Sequence, residues 1–247
     1  EGNEEAANTS HTGGMDEPTQ NPDSPPDSTA IPEPWVVHPR VIWAIGLNYL
    51  DHIAETGREV PTVPTVFMKS PGSVIGNGEL IVVPSHVTQP DYEGEVAVII
   101  GRRAKDITEA DAIKVIAGVT CANDVSARDH QYLTGQWTWS KSFDTFCALG
   151  PRVAPVAEVD LDDCAITTRL NGEVVQESST KHLVFGIPQL VAELSRGVTL
   201  ERGDVILTGT PAGVGAARNP PRFLKDGDLV EVTVAGVGTL RNRVSGR

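Results

Sequence analysis

The chain reads as an α+β protein dominated by strands, a roll or distorted barrel with peripheral helices. Three observations predict this. Short β-branched runs bounded by glycine and proline recur along the chain. Helical patterns are few and short. The two kinds of segment do not alternate as a βαβ series would, which argues against a Rossmann fold or a TIM barrel.

The elements follow in order. Residues 41–46 form a buried-strand pattern and lead into a short helical stretch, 47–55, with Asn48 as its candidate cap. Residues 65–69 and 80–83 read as further strands, separated by a turn rich in Gly, Pro and Ser. The run from Asp91 to Gly101 alternates and turns β-branched, again a strand. Residues 108–116 read as a helix with Thr108 as N-cap and Asp111 at the capping-box position. Residues 117–127 pass from apolar to polar, a strand ending in a functional loop. Residues 165–170, Asn171-Gly172 and 173–177 carry the strongest hairpin signal. Pro188 opens a helix that runs to Arg196, with Gly197 as C-cap. Strands and glycine turns fill 204–244, and no internal repeat is present.

Composition narrows the function classes. The chain has 247 residues and a formal charge of -13. Without a Lys/Arg cluster, nucleic acid and anionic membrane are poor partners. No apolar run approaches a membrane span and no secretory pattern opens the chain. Three cysteines without CxxC or Cys/His spacing predict reduced thiols in a cytoplasmic protein rather than a zinc or disulfide framework. Residues 1–34 hold eight of the acids, six prolines and no Lys or Arg. Such a segment lacks the apolar surface to offset its ordering entropy, so it reads as a flexible acidic tail before a catalytic domain over 35–247.

The chemistry centres on Glu93 and Glu95. In a strand, residues i and i+2 share a face. Two carboxylates side by side are either the wet face of an edge strand or two ligands of a divalent cation that offsets their repulsion. Asp124 is a turn residue or a third oxygen ligand, and an all-carboxylate set suits Mg²⁺ or Mn²⁺, with Ca²⁺ able to substitute in vitro. His52 and Glu55, at i and i+3, share a helix face, as a surface pair or as a base whose tautomer a carboxylate fixes. Lys141 follows Trp137-Thr138-Trp139 and is a snorkelling or a partly desolvated lysine.

Glu93-x-Glu95, then 123–129 (NDVSARD), 141–144 (KSFD) and 207–215 (LTGTPAGVG), with 46–52 (GLNYLDH) upstream, resemble the fumarylacetoacetate hydrolase family in motif content and order. The resemblance covers residues 40 to 245. It implies a mixed β-roll, a homodimer and a small 2-oxo acid substrate. It also implies Mg²⁺ or Mn²⁺ on Glu93, Glu95 and Asp124. By the same resemblance His52 and Glu55 activate water, Gln131 orients it, and Lys141 neutralises a developing enolate. The resemblance also sets Lys69 near the substrate, unless that is an ordinary strand-end lysine. From the residues themselves, Gly209 and Thr210 offer an N–H and a hydroxyl to a substrate carboxylate or form a tight turn, and Arg128 with Asp129, adjoining Asp124, reads as a salt bridge that orients it. The activity that the resemblance implies is hydrolysis of a C–C bond in a 2,4-dioxo acid of the acylpyruvate or fumarylpyruvate type, through a metal-bound enolate. The same site serves a 2-oxo acid decarboxylase or an isomerase or tautomerase. Two other classes remain in view: a non-catalytic metal-stabilised scaffold, which needs no His52, Glu55, Gln131 or Lys141, and a glycosidase, which the few aromatic residues disfavour.

Overall fold

A computed structural model of the protein describes residues 38–246. The acidic tail 1–34 and its boundary with the catalytic domain lie outside the described residues. The elements run β1 (Ile42–Gly46), α1 (Leu50–Thr56), β2 (Thr65–Lys69), β3 (Val74–Ile75), β4 (Ile81–Val83), β5 (Pro90–Asp91) and β6 (Gly94–Ile100). There follow α2 (Glu109–Ala112), β7 (Ile116–Asp124), β8 (Ser126–Ala127), α3 (Arg128–Gln131), β9 (Cys147–Pro155), β10 (Ala165–Leu170) and β11 (Glu173–Ser179). The last four are α4 (Ile187–Gly197), β12 (Val205–Leu207), β13 (Leu229–Val234) and β14 (Gly238–Gly246).

The strands form a β-dominated roll of two main sheets. One has the order β2-β1-β12-β6-β7-β9-β3 and the other β11-β10-β13-β14-β4. In β6 successive side chains alternate between two cores. Val96, Val98 and Ile100 join the large core shared with Ile166, Val232 and Leu240 of the second sheet and Leu190 of α4. Ala97 and Ile99 point the other way, into a smaller core with Ile42, Phe67 and Leu207. Burial on both faces explains the continuous hydrophobic run Val96–Ile100, and it leaves the buried Glu95 of the same strand as the exception that needs a function. It also removes the wet-edge alternative for the Glu93/Glu95 pair, because β6 is a central strand with all seven residues buried.

Local rules account for several elements. Asn171 (φ 54°) and Gly172 (φ 83°) both adopt the left-handed conformation that a two-residue hairpin turn requires between β10 and β11. Proline in the first turn opens α4, although Gly197 is the last helical residue and Val198 the cap.

Three expectations are corrected. Residues 108–116 give only the four-residue α2 followed by a 3₁₀ turn; the Thr108 hydroxyl donates to the Asp111 side chain at 2.8 Å and caps no backbone N–H. The loop expected at the end of 117–127 is instead the end of β7 and the short strand β8, with the helical turn α3 beyond it. Asn48 does not cap α1, whose cap is Tyr49. Its amide instead donates to the carbonyls of Thr208 (2.8 Å) and Phe185 (3.1 Å) and accepts from the Phe185 N–H (2.9 Å). A buried amide with three long-range partners ties α1 to the loop after β12, a stronger demand than local capping.

The three cysteines are free and buried, and burial pushes the Cys121 and Cys147 thiols up to about 12. Among the described residues no helix is long and apolar enough to cross a membrane.

Candidate active site

The carboxylates are positioned by the pairing of β6 with β7. Gly94 pairs with Asn123, so Glu93 and Asp124 meet at the end of the ladder. The Asp124 N–H donates to the Glu93 carbonyl (2.8 Å), and the Glu93 N–H donates to Asn123 Oδ1 (3.0 Å). Glu93, Glu95 and Asp124 are 5%, 2% and 0% exposed, and one carboxylate oxygen from each lies within 4.8 Å of the others. Gly94, between the two glutamates, has no room for a side chain: a Cβ would stand 2.0 Å from Thr168 Oγ1. Its N–H donates to Gln176 Oε1 (2.9 Å) and its carbonyl accepts from Thr210 Oγ1 (2.9 Å).

Cations occupy part of this cluster. Lys69 Nζ is ion-paired with Asp124. Lys141 Nζ bridges Glu93 (2.6 Å) and Asp124 (2.7 Å) and stands 5.2 Å from the Phe67 ring centroid. Arg128 contacts Glu93 Oε1 at 2.6 Å and donates to Asp91 Oδ2 at 2.9 Å. Burial raises the Glu93 carboxyl, but Lys141 and Arg128 outweigh it and hold the group at about 2. Burial likewise works against charge on Lys141, and Asp124 and Glu93 reverse it, keeping the ammonium protonated.

Glu95 differs. It accepts the Gly209 N–H at 2.7 Å and has no cationic side chain in contact among the described residues; burial, then Asp124 and Glu93, push it well above the usual carboxylate range. The donor set fits a divalent ion on that ground. Three hard oxygens converge, and one belongs to a buried carboxylate without a counterion, a costly arrangement that a cation relieves.

At the rim, His52 Nδ1 lies 3.0 Å from Glu55 Oε2 on α1. The other Glu55 oxygen accepts the Gly213 N–H at 2.9 Å. Gly213 needs to be glycine twice over, with φ 107° and a Cβ position 1.9 Å from the Val175 carbonyl. His52, Glu55, Gln131, Lys141, Glu93 and Glu95 all line one pocket of about 600 Å³.

The remaining residues expected at the substrate divide. Thr210 lines the pocket, but its hydroxyl donates to Gly94 and accepts from Gln176 Nε2 (2.8 Å). Gly209 gives its N–H to Glu95, and Lys69 is buried against Asp124 outside the lining. Gln131 lines the pocket and accepts from Arg128 Nη1 at 2.9 Å. The pairing expected of Arg128 and Asp129 is corrected: Arg128 orients Glu93, whereas Asp129 accepts from the N–H (2.6 Å) and hydroxyl (2.7 Å) of Thr88. Asp124 is held by the two lysines instead.

The sequence reading missed Asp91 and Gln176. Asp91 accepts from Arg128 and from the N–H groups of Gly215 (2.7 Å) and Ala216 (2.9 Å), joining the glycine-rich loop to the segment between β5 and β6 that bears Glu93. Its place two residues before Glu93 was the available signal. Gln176 lies in a hairpin with no motif around it, so nothing local pointed to it.

Fold and site define a class: a β-roll with two glutamates of a buried carboxylate triad lining a pocket, the triad's Asp124 behind them, and a histidine–glutamate pair in the same lining. The chain belongs to the fumarylacetoacetate hydrolase family, whose model described as "Fumarylacetoacetate (FAA) hydrolase C-terminal" matches residues 41–245. It is 43% identical over 207 residues to oxaloacetate tautomerase YisK of Bacillus subtilis, covering 82% of this chain and 69% of that protein. Among solved structures, 5-carboxymethyl-2-hydroxymuconate delta-isomerase from Mycobacterium smegmatis matches with TM-score 0.77 at 42% identity, covering 85% of this chain and 80% of that one. Fumarylacetoacetate hydrolase from Exiguobacterium antarcticum matches with TM-score 0.79 at 41% identity, covering 85% and 76%.

Proposed function

We propose that this protein is a divalent-metal-dependent enzyme that moves a proton next to the 2-oxo group of a small dicarboxylic 2-oxo acid, an oxaloacetate-type tautomerase or isomerase. What carries the reading is one pocket lined by Glu93 and Glu95 of the triad, the latter with no ion pair to a described residue, and by the His52–Glu55 pair. The names of the tautomerase and isomerase relatives support it.

Glu93, Glu95 and Asp124 would hold Mg²⁺ or Mn²⁺, which when bound supplies Lewis acidity at a substrate carbonyl. Lys141 lies beside the same carboxylates and adds positive charge where electron density collects. A proton leaves the carbon adjacent to the 2-oxo group, its electron pair moves toward the carbonyl, and a proton returns to oxygen. His52 is the group that takes and returns a proton. With Nδ1 on Glu55, its Nε2 is the free nitrogen, and the Gly213 N–H holds Glu55 in place.

A second reading, C–C hydrolysis of an acylpyruvate, is favoured by Gln131. It lines the pocket near the same pair, and its amide NH₂ bonds to no described residue, as a group that orients water must. Two assays with Mg²⁺ separate the readings: decay of the enol absorbance of oxaloacetate, and pyruvate release from acetylpyruvate. Accelerated enol decay without pyruvate release is the expected result, and the reverse pattern supports hydrolysis. Full activity in either assay after exhaustive chelation overturns the metal-dependent reading.

A further inference from the structure

We infer that Arg58 is a specificity-determining residue that binds the distal carboxylate of the substrate. The inference rests on the proposed 2-oxo acid activity and adds what selects among such acids. Three cationic side chains line the pocket: Arg58, Arg128 and Lys141. Arg128 is committed to Asp91 and Glu93, and Lys141 to Glu93 and Asp124. Arg58 alone of the three makes no side-chain hydrogen bond or ion pair with any described residue.

Its backbone is nevertheless fixed. Gly57, at φ 64°, ends α1 in the left-handed conformation, and the Arg58 N–H donates to the Ile53 carbonyl at 3.2 Å. This is the bonding of a Schellman cap, which sets where the next side chain departs. The helix so ended is the one that carries His52 and Glu55, so Arg58 is anchored to the proton-moving pair while its guanidinium has no partner among the described residues.

The other polar side chains near the mouth do not supply a free positive charge, the Tyr132 hydroxyl included. The Thr56 hydroxyl donates to the His52 carbonyl (3.1 Å), and the Thr134 hydroxyl donates to the Gln136 carbonyl (3.1 Å). The Gln131 amide offers donors but no charge. A second carboxylate entering the pocket with the metal end of the molecule seated on the triad needs a cation, and a guanidinium fork matches a carboxylate with two parallel hydrogen bonds. The ligand class is a 2-oxo acid with a negatively charged far end, in preference to a neutral acyl group.

The test compares oxaloacetate with its 4-methyl ester, which has the same chain length and a neutral far end. The readout is the ratio of kcat/KM for the diacid to that for the ester, in wild type, R58Q and R58K, each checked by thermal melting. The wild type should prefer the diacid; R58Q should lower the ratio about tenfold, chiefly through KM of the diacid, and R58K should restore part of it. Higher salt should lower the wild-type ratio more than that of R58Q, because an ion pair at the pocket mouth is screened. A ratio in R58Q within about twofold of wild type, with both compounds turned over, overturns the role of Arg58 and leaves the proposed activity standing. Turnover of neither compound by the wild type overturns the proposed activity and this inference with it.

Discussion

The floor and the mouth of the pocket are built on different principles. At the floor, Glu95 and Asp124 on the paired strands β6 and β7, and Glu93 just before β6, are almost fully buried, and Lys69, Lys141 and Arg128 surround the cluster. At the mouth, the His52 and Glu55 side chains are 12% and 21% exposed on a seven-residue helix, joined to each other and to one loop N–H. The floor concentrates like charge that only counterions make tolerable, so it is coupled to folding. The mouth carries a pair whose loss leaves no buried charge behind, so the proposed function gives it a part in turnover rather than in folding. Binding and proton transfer therefore respond to different substitutions.

The sharpest break of this contrast is at Glu95. E95Q should abolish metal-dependent activity, a loss of at least about a thousandfold given the several kcal/mol a Lewis acid supplies. It should also erase the rise in Tm with Mn²⁺, which for the wild type at a hundredfold excess over Kd is worth about 2.7 kcal/mol. The metal-free Tm should not fall, because the amide removes a carboxylate that burial and its neighbours oppose. A Tm that still climbs with Mn²⁺ would show that the cation sits elsewhere.

Next comes Arg128. R128L leaves Asp91 and Glu93 buried without it, and breaking such a network should cost about 3–5 kcal/mol of stability in denaturant melts. A loss below about 1 kcal/mol would mean that the floor tolerates uncompensated charge.

At the mouth, H52A should lower kcat about a hundredfold or more while leaving Mn²⁺ affinity by calorimetry unchanged. A matching drop in metal affinity would merge floor and mouth into one unit and remove the distinction.

The smallest effect lies outside the pocket, at Asp129. Burial raises this carboxyl, but the bonds from Thr88 and the neighbouring His130 outweigh it and hold it at about 2. A depressed acid stabilises the fold above its unfolded pKa and loses that contribution as pH falls through the folded value. The gap in Tm between wild type and D129N should therefore be open near pH 5 and close toward pH 2. A gap independent of pH would mean that the hydrogen bonds, not the charge, carry the effect.

How much of this was readable beforehand depended on distance along the chain. The two-residue period of a strand placed Glu93 and Glu95 on one face, and the i, i+3 spacing put His52 beside Glu55; both relations hold within a few residues. Asn171-Gly172 announced its hairpin because positive φ is a local preference.

Relations set by packing were not readable. No local signal said that β6 is central, which turns a pair of acids from a wet face into a buried cluster. None said that Arg128 turns to Glu93 and Asp91 rather than to Asp124, or that Asn48 abandons the helix it precedes for partners some 137 and 160 residues away. The sequence alone determined which chemical groups exist and which near neighbours share a face, because backbone geometry is local. Which carboxylate and which pocket arginine stay without a partner among the described residues was decided only when the sheets closed and each charge found or failed to find an opposite one.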